Sequence, residues 1–202
     1  VTAHSPIVAW LADGLPVYGP YGYASPMDPK SGLRRMTPGY VKRDGTNGTT
    51  NLGATGRTTL PAWAARAQNR TATLPATVFG PAVTNAFALG HFIEDFDYLG
   101  DLGKTHGTDF DLNENNVRFC VTPEFPGGTW AYFVCINAAG TPMFPYNIGR
   151  QYYGSPAATV MGTTYPEPVT TNFNGGTRMP LTASAPSVNS TNSNVTLTWS
   201  AI

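Results

Sequence analysis

Glycine and proline cut this chain into short pieces. With 22 Gly and 18 Pro among 202 residues, few stretches offer the ten or more uninterrupted residues that an ordinary helix uses. The 27 Thr residues act in the same direction, because a β-branched side chain is stiff at χ1 and suits a pleated, half-buried strand. The fold class these features imply is mainly β. It is a single β-rich domain with long irregular loops over residues 1–165. From 166 to 194 the composition becomes that of a linker. The closing "VTLTWSAI" at 195–202 alternates like a strand. It is expected to be the first strand of a following, partial β-sandwich-like module, or a strand donated to another surface.

Within the domain, Ile7 to Leu11 reads as a short buried strand, Asp13-Gly14 as a turn, and Leu15 to Tyr18 as a second strand. "LPAWAARAQNR" at 60–70 is the best helix candidate. Its Pro61 suits a first helical position and an Ala-rich run follows.

Charge is sparse and balanced. Asp plus Glu and Lys plus Arg number 12 each, and charged residues make up 12% of the chain, about half the usual share. No basic stripe is available for a nucleic acid. No run approaches the ~20 apolar residues of a membrane span, and no signal-peptide pattern stands at the start. Val1 is not an initiator Met, so processing or a trimmed upstream piece is expected.

Cys120 and Cys135 lie equally far from Gly127-Gly128. A two-residue Gly-Gly turn suits a type I′ hairpin. That register predicts Cys120 opposite Cys135, Phe119 opposite Ile136 and Val121 opposite Val134. A Cys120–Cys135 disulfide would follow, adding about 3 kcal/mol in the chain-entropy model. Sequons at Asn47, Asn69, Asn189 and Asn194 are compatible with N-glycosylation in an extracellular protein.

Seven of the 12 acids fall in 21 residues: Glu94, Asp95, Asp97, Asp101, Asp109, Asp111 and Glu114. "DFDLNEN" sets oxygen side chains at alternate positions, the arrangement by which loops feed several ligands to a hard cation. The calcium candidates are Asp109, Asp111 and Asn113, with Asp95 or Asp97 completing the shell. The alternative is a solvated loop whose Asp residues cap local backbone. The three His residues are isolated in sequence, so no zinc spacing exists, and a transition metal is the lesser expectation. His4-Ser5 with Asp13 lacks the nucleophile turn of a serine hydrolase. Gly19 and Gly22 are not followed by a helix that would cradle phosphate.

Three ordered segments carry a family resemblance. "HSPIVAWLADGLPVYGPYGY" is close to HSPIIGWAxDGFPIYGPYGY. "EDFDY" at 94–98 precedes "LNENNVRF" at 112–119. "TPEFPGGTWAYF" at 122–133 is similar to TPEFPNGTYAYF, with "FPYNIGRQYYG" after it. The chain thus resembles the YHYH family of mostly secreted proteins over about residues 4–156. The resemblance implies an extracellular or cell-surface location. The naming Tyr-His-Tyr-His run, which lies upstream of HSP, is absent. Where relatives read LDECNGRF, this chain has Asn113, Asn115 and Val117. The resemblance makes His4 the best metal candidate, because that His-rich run would precede it; the alternative is a buried His holding a backbone carbonyl.

The functional expectation is a secreted or cell-surface structural or adhesive module in an extracellular assembly. A neighbouring subunit could complete the domain by self-association, and a glycan partner could bind the Tyr-rich loops. The alternative is an extracellular metal-binding protein, with calcium as its cofactor. In the opening segment, Tyr18, Tyr21 and Tyr23 are expected to pack rings in the core while their hydroxyls satisfy loop backbone. The competing expectation is a pocket lined by His4, Asp13 and Tyr18.

Overall fold

The computed structural model describes residues 1–156 and, beyond them, the backbone of four short strands. The chain divides into two units, Val1–Ala158 and Thr159–Ile202.

The first unit is mainly β. Strands β1 (Ile7–Trp10) and β2 (Pro16–Tyr18) are antiparallel. The Asp13-Gly14 turn joins them, with Asp13 Oδ1 accepting from Leu15 N–H and Gly14 at φ 78°. The β3 (Tyr21–Ser25) and β4 (Asp28–Arg35) hairpin follows, then β5 (Tyr40–Lys42). A single helical turn, α1 (Leu52–Thr55), is capped by the Asn51 side chain on Ala54 N–H. Helix α2 (Ala62–Gln68) lies where the Ala-rich run predicts it, with Pro61 as its N-cap and Asn69, in the left-handed region, ending it. Strand β6 (Phe96–Tyr98) pairs with β5. Trp63 fastens α2 to this pair by donating Nε1–H to Phe96 O at 2.8 Å. Tyr40, Leu60, Trp63, Ala64 and Phe96 close that core.

Strands β7 (Val117–Cys120) and β8 (Thr129–Phe133) complete a sheet of order β1-β2-β8-β7, in which β2 and β8 are parallel. Strand alternation sorts the residues of β2, β7 and β8 into two layers. Tyr18, Cys120, Ala131 and Phe133 meet Met36, Leu112 and Cys135 on one face. Val17, Val117 and Tyr132 form a smaller core on the other.

The β7–β8 hairpin corrects the expected register. Cys120 stands opposite Thr129 and Val117 opposite Tyr132. Thr122 N–H donates to Phe125 O, Phe125 N–H to Thr122 Oγ1, and Gly128 N–H to Phe125 O. The turn is therefore built by "TPEF" rather than by the two glycines, of which Gly128 alone has positive φ. Pairing stops six residues short of the predicted match. Cys120 and Cys135 are both buried free thiols.

In the second unit, β9 (Leu181–Ala183) pairs with β12 (Trp199–Ala201), and β10 (Ser187–Asn189) with β11 (Asn194–Thr196), both antiparallel. Strands β9 and β10 lie in the stretch expected to be a linker. The terminal stretch finds its partners within its own unit.

Candidate functional site

The carboxylates and the amide singled out in the sequence each face a partner group within the protein, and the three buried acids, Asp95, Asp97 and Asp111, face arginines. Asp95 is fully buried and receives Arg57 as a fork, Nε to Oδ1 at 2.6 Å and Nη2 to Oδ2 at 2.8 Å. Gly90 and Phe92 N–H groups add two more bonds to Oδ2. Burial alone would raise the Asp95 carboxyl, but Arg57 and these N–H groups outweigh it and hold it below the usual carboxylate range. Arg57 also donates to the carbonyls of Pro81, Phe87 and Ala88 and lies 4.8 Å over the Phe92 ring. Asp111 takes both Arg34 guanidinium nitrogens, Arg118 Nη1 at 3.3 Å and Thr37 N–H. Asp97 faces Arg43 at 3.5 Å, a looser pair, and burial there pushes the Asp97 carboxyl up. Asp109 Oδ2 accepts from Thr105 N–H, and Asn113 Oδ1 from Asn115 and Val117 N–H. Asp101 and Glu114 share the exposed Arg66.

His4 sits on the Tyr18 face of the main sheet, boxed by Tyr18, Tyr23 and Phe133 at centroid distances of 5.0, 4.9 and 6.0 Å. Its Nδ1 lies 2.8 Å from Ser5 O. A carbonyl can only accept, so Nδ1 carries the proton and Nε2 is a lone pair. Nε2 is buried with no partner among the described residues. Burial lowers the His4 pKa, so the ring stays neutral.

Asp13 belongs to the opposite layer. Its Oδ2 accepts from Tyr132 OH at 2.7 Å and from Gly154 N–H at 3.1 Å, while Tyr132 OH accepts from Tyr153 N–H. Tyr18 and Tyr132 occupy opposite faces because their parallel partners are neighbours in sequence. The pocket expected from His4, Asp13 and Tyr18 is therefore not formed.

A roomy concavity among the described residues lies elsewhere, a cleft of about 460 Å³ between β5 and the 137–146 loop. Its apolar lining sets aromatic rings beside Val41, Leu89, Pro142 and Met143. Phe96 and Phe144 stack at 4.4 Å, Tyr40 meets Phe144 edge-on at 4.9 Å, and Tyr146 stands 51% exposed beside them. Lys42, Asp44, Thr46, Asn47, Asn137 and Thr141 supply the polar lining. Hydrogen bonds from Thr46 hold Asp44 below the ordinary range, so its negative charge balances Lys42.

The protein-family model described as "YHYH protein" matches residues 1–145. The chain belongs to the YHYH family. No curated protein and no solved structure shows a detectable match.

Two of the family-like segments of this YHYH domain meet in the main sheet. "HSPIVAWLADGLPVYGPYGY" contributes His4, β1, β2 and the start of β3, and "TPEFPGGTWAYF" the turn and β8 that pair with β2. The calcium candidates do not converge. Asp95, Asp97 and Asp111 each face an arginine, while Asp109 and Asn113 cap their own turns. No group of three or more His, Cys, Asp or Glu among the described residues is placed to share a metal ion. His106 is engaged with Asp111 O, and His91 is exposed.

Tyr18 behaves as expected in its ring and differently in its hydroxyl. It is fully buried, and its OH lies 2.8 Å from both Thr122 Oγ1 and Glu124 Oε2. The partners are side chains of the β7–β8 turn rather than loop backbone. Tyr21 and Tyr23 are half-buried. Of the sequons, Asn47 and Asn69 are exposed at turns with positive φ. Asn189 and Asn194 are paired in the backbone register of β10 and β11. Sequence reasoning missed the cleft lining. The available signal was the Gly/Pro/Tyr-rich "GTPMFPYNIG" stretch, which supplies one wall. No helix in the described residues is long and apolar enough to cross a membrane.

Proposed function

We propose that this YHYH domain is a secreted or cell-surface structural and adhesive module that works by binding within an extracellular assembly. The observation that carries this reading is the division of labour among polar groups. The buried acids that could have served chemistry are paired with arginines, whereas the cleft beside β5 is rich in aromatic rings and electrically balanced. That lining suits recognition better than proton transfer, which needs a free, tuned acid or base.

Assembly draws support from β1. It is an edge strand of the main sheet, with Val8 58% and Trp10 57% exposed. An edge of this kind offers unpaired backbone groups to another strand. Surface proteolysis of intact cells and analysis of the culture medium, with an antibody to this domain, test the location. The domain is expected in the medium or in the protease-sensitive surface fraction. Recovery only from the protected interior would overturn the reading. Light scattering on the purified chain tests assembly, with a species larger than one chain expected.

A second reading, an extracellular metal-binding protein, is favoured by the lone pair on His4 Nε2. Elemental analysis of protein purified without chelator tests it, with zinc or copper near one per chain expected on that reading.

A further inference from the structure

We propose that the cleft between β5 and the 137–146 loop binds a neutral saccharide. The inference deepens the adhesive reading and rests on it.

Tyr146 is the key observation. It is a non-glycine residue with φ 66°, a region that a bulky side chain seldom adopts. Two backbone bonds hold it there: its N–H donates to Met143 O, and its carbonyl accepts from Cys135 N–H, each at 2.7 Å. The ring gains little burial from this, since the residue remains 51% exposed. Backbone strain that presents an aromatic ring to solvent at a cleft points to recognition rather than packing.

The polar lining has matching spare capacity. Among the described residues, Lys42 Nζ, Asp44 Oδ2, Asn137 Nδ2, Thr141 Oγ1 and the Tyr146 hydroxyl have no hydrogen-bond partner within the protein. Asn137 Oδ1, by contrast, is taken by Ala139 and Thr141 N–H, which fixes the amide's orientation. Donors and acceptors of both kinds thus surround a stacked aromatic floor. A pyranose presents the complementary surface, with C–H groups on one face and hydroxyls around its edge. The balanced Lys42 and Asp44 charges favour a neutral sugar over an acidic one. The volume of about 460 Å³ lies in the range of small-molecule sites, roughly 300–1,000 Å³.

The test is retention of the purified chain on a printed array of neutral and acidic oligosaccharides, followed by fluorescence titration with each saccharide retained. Tyr146→Gly relaxes the backbone while deleting the ring, and Thr141→Val removes a hydroxyl at nearly constant shape. Wild type is expected to retain neutral saccharides. Each variant should weaken binding at least about tenfold, the scale of one lost hydrogen bond or stacking contact, with its melting temperature preserved. Retention of no neutral saccharide, retention of acidic ones alone, or binding unchanged in both variants would overturn the inference. A surface-located domain that binds no saccharide would overturn this site and leave the module reading standing. A domain confined to the cell interior would overturn the module reading itself.

Discussion

Arg57 grips Asp95 as a two-pronged fork, 2.6 and 2.8 Å across, with both side chains buried. The same guanidinium holds three carbonyls of the 81–88 segment. Arg57 therefore links the body of the domain to the 81–88 loop. Removing either partner strands a buried charge, which costs about 3–5 kcal/mol. Asp95→Ala and Arg57→Ala should each show a loss of that size in urea denaturation. The double variant should lose less than the sum, because the second change removes the stranded charge. Additive losses would show that the pair is not coupled.

These pairs explain what could and could not be read in the sequence. Helix α2 was legible because its signals are local: Pro61, then an Ala run ended by Asn69. Strands β1 and β2 were legible because each is a short apolar run beside a turn, but β1 is an exposed edge strand rather than the buried one expected. The partners of the acids were not legible. Arg57 and Asp95 lie 38 positions apart, and Arg34 and Asp111 lie 77 apart. Alternating oxygens in "DFDLNEN" look the same whether they face a cation or a guanidinium. The hairpin failed for a different reason. Symmetry about Gly127-Gly128 suggested a turn, but Thr122 and Phe125 close an earlier one, and a register error then propagates to every pair. The parallel contact of β2 with β8 spans over a hundred residues and leaves no local trace.

The cysteines give a direct check on that register. Burial raises both thiols, Cys135 to about 12, so little thiolate is present near neutral pH. Alkylation of the native chain at pH 8 without reductant should be slow. In denaturant, still without reductant, two thiols per chain should react. A chain that yields none would carry the disulfide the structure lacks.

His4 should make stability depend on pH. Its folded pKa is lowered by burial, so the unfolded chain binds more protons as pH falls through about 6.5, the ordinary His value. The His4 contribution is then complete above that value, declines as pH drops toward the folded pKa, and is constant below it. His4→Phe keeps an aromatic ring against Tyr18 and Tyr23 and should flatten this part of the curve. Denaturation midpoints between pH 7 and 5 read the difference. Parallel curves would show that His4 does not titrate on unfolding.

Tyr132 ties the 151–154 segment to the sheet through Asp13. Tyr132→Phe leaves Tyr153 N–H and the Asp13 carboxylate short of a partner, a loss of about 1–3 kcal/mol. Limited proteolysis should then cut near Gln151–Gly154 sooner than in wild type. Unchanged cleavage would mean that the segment is held by other contacts.

The central claim is that arginines neutralise the buried acids of this stretch, Asp95, Asp97 and Asp111. Thermal denaturation in millimolar calcium and in excess chelator tests it most directly. An ion at one hundred times its dissociation constant would add about 2.7 kcal/mol, or roughly 5–10 °C for a chain of this length. The account predicts superimposable transitions for wild type. A calcium-dependent rise of that size, abolished by Asp109→Ala, would contradict it.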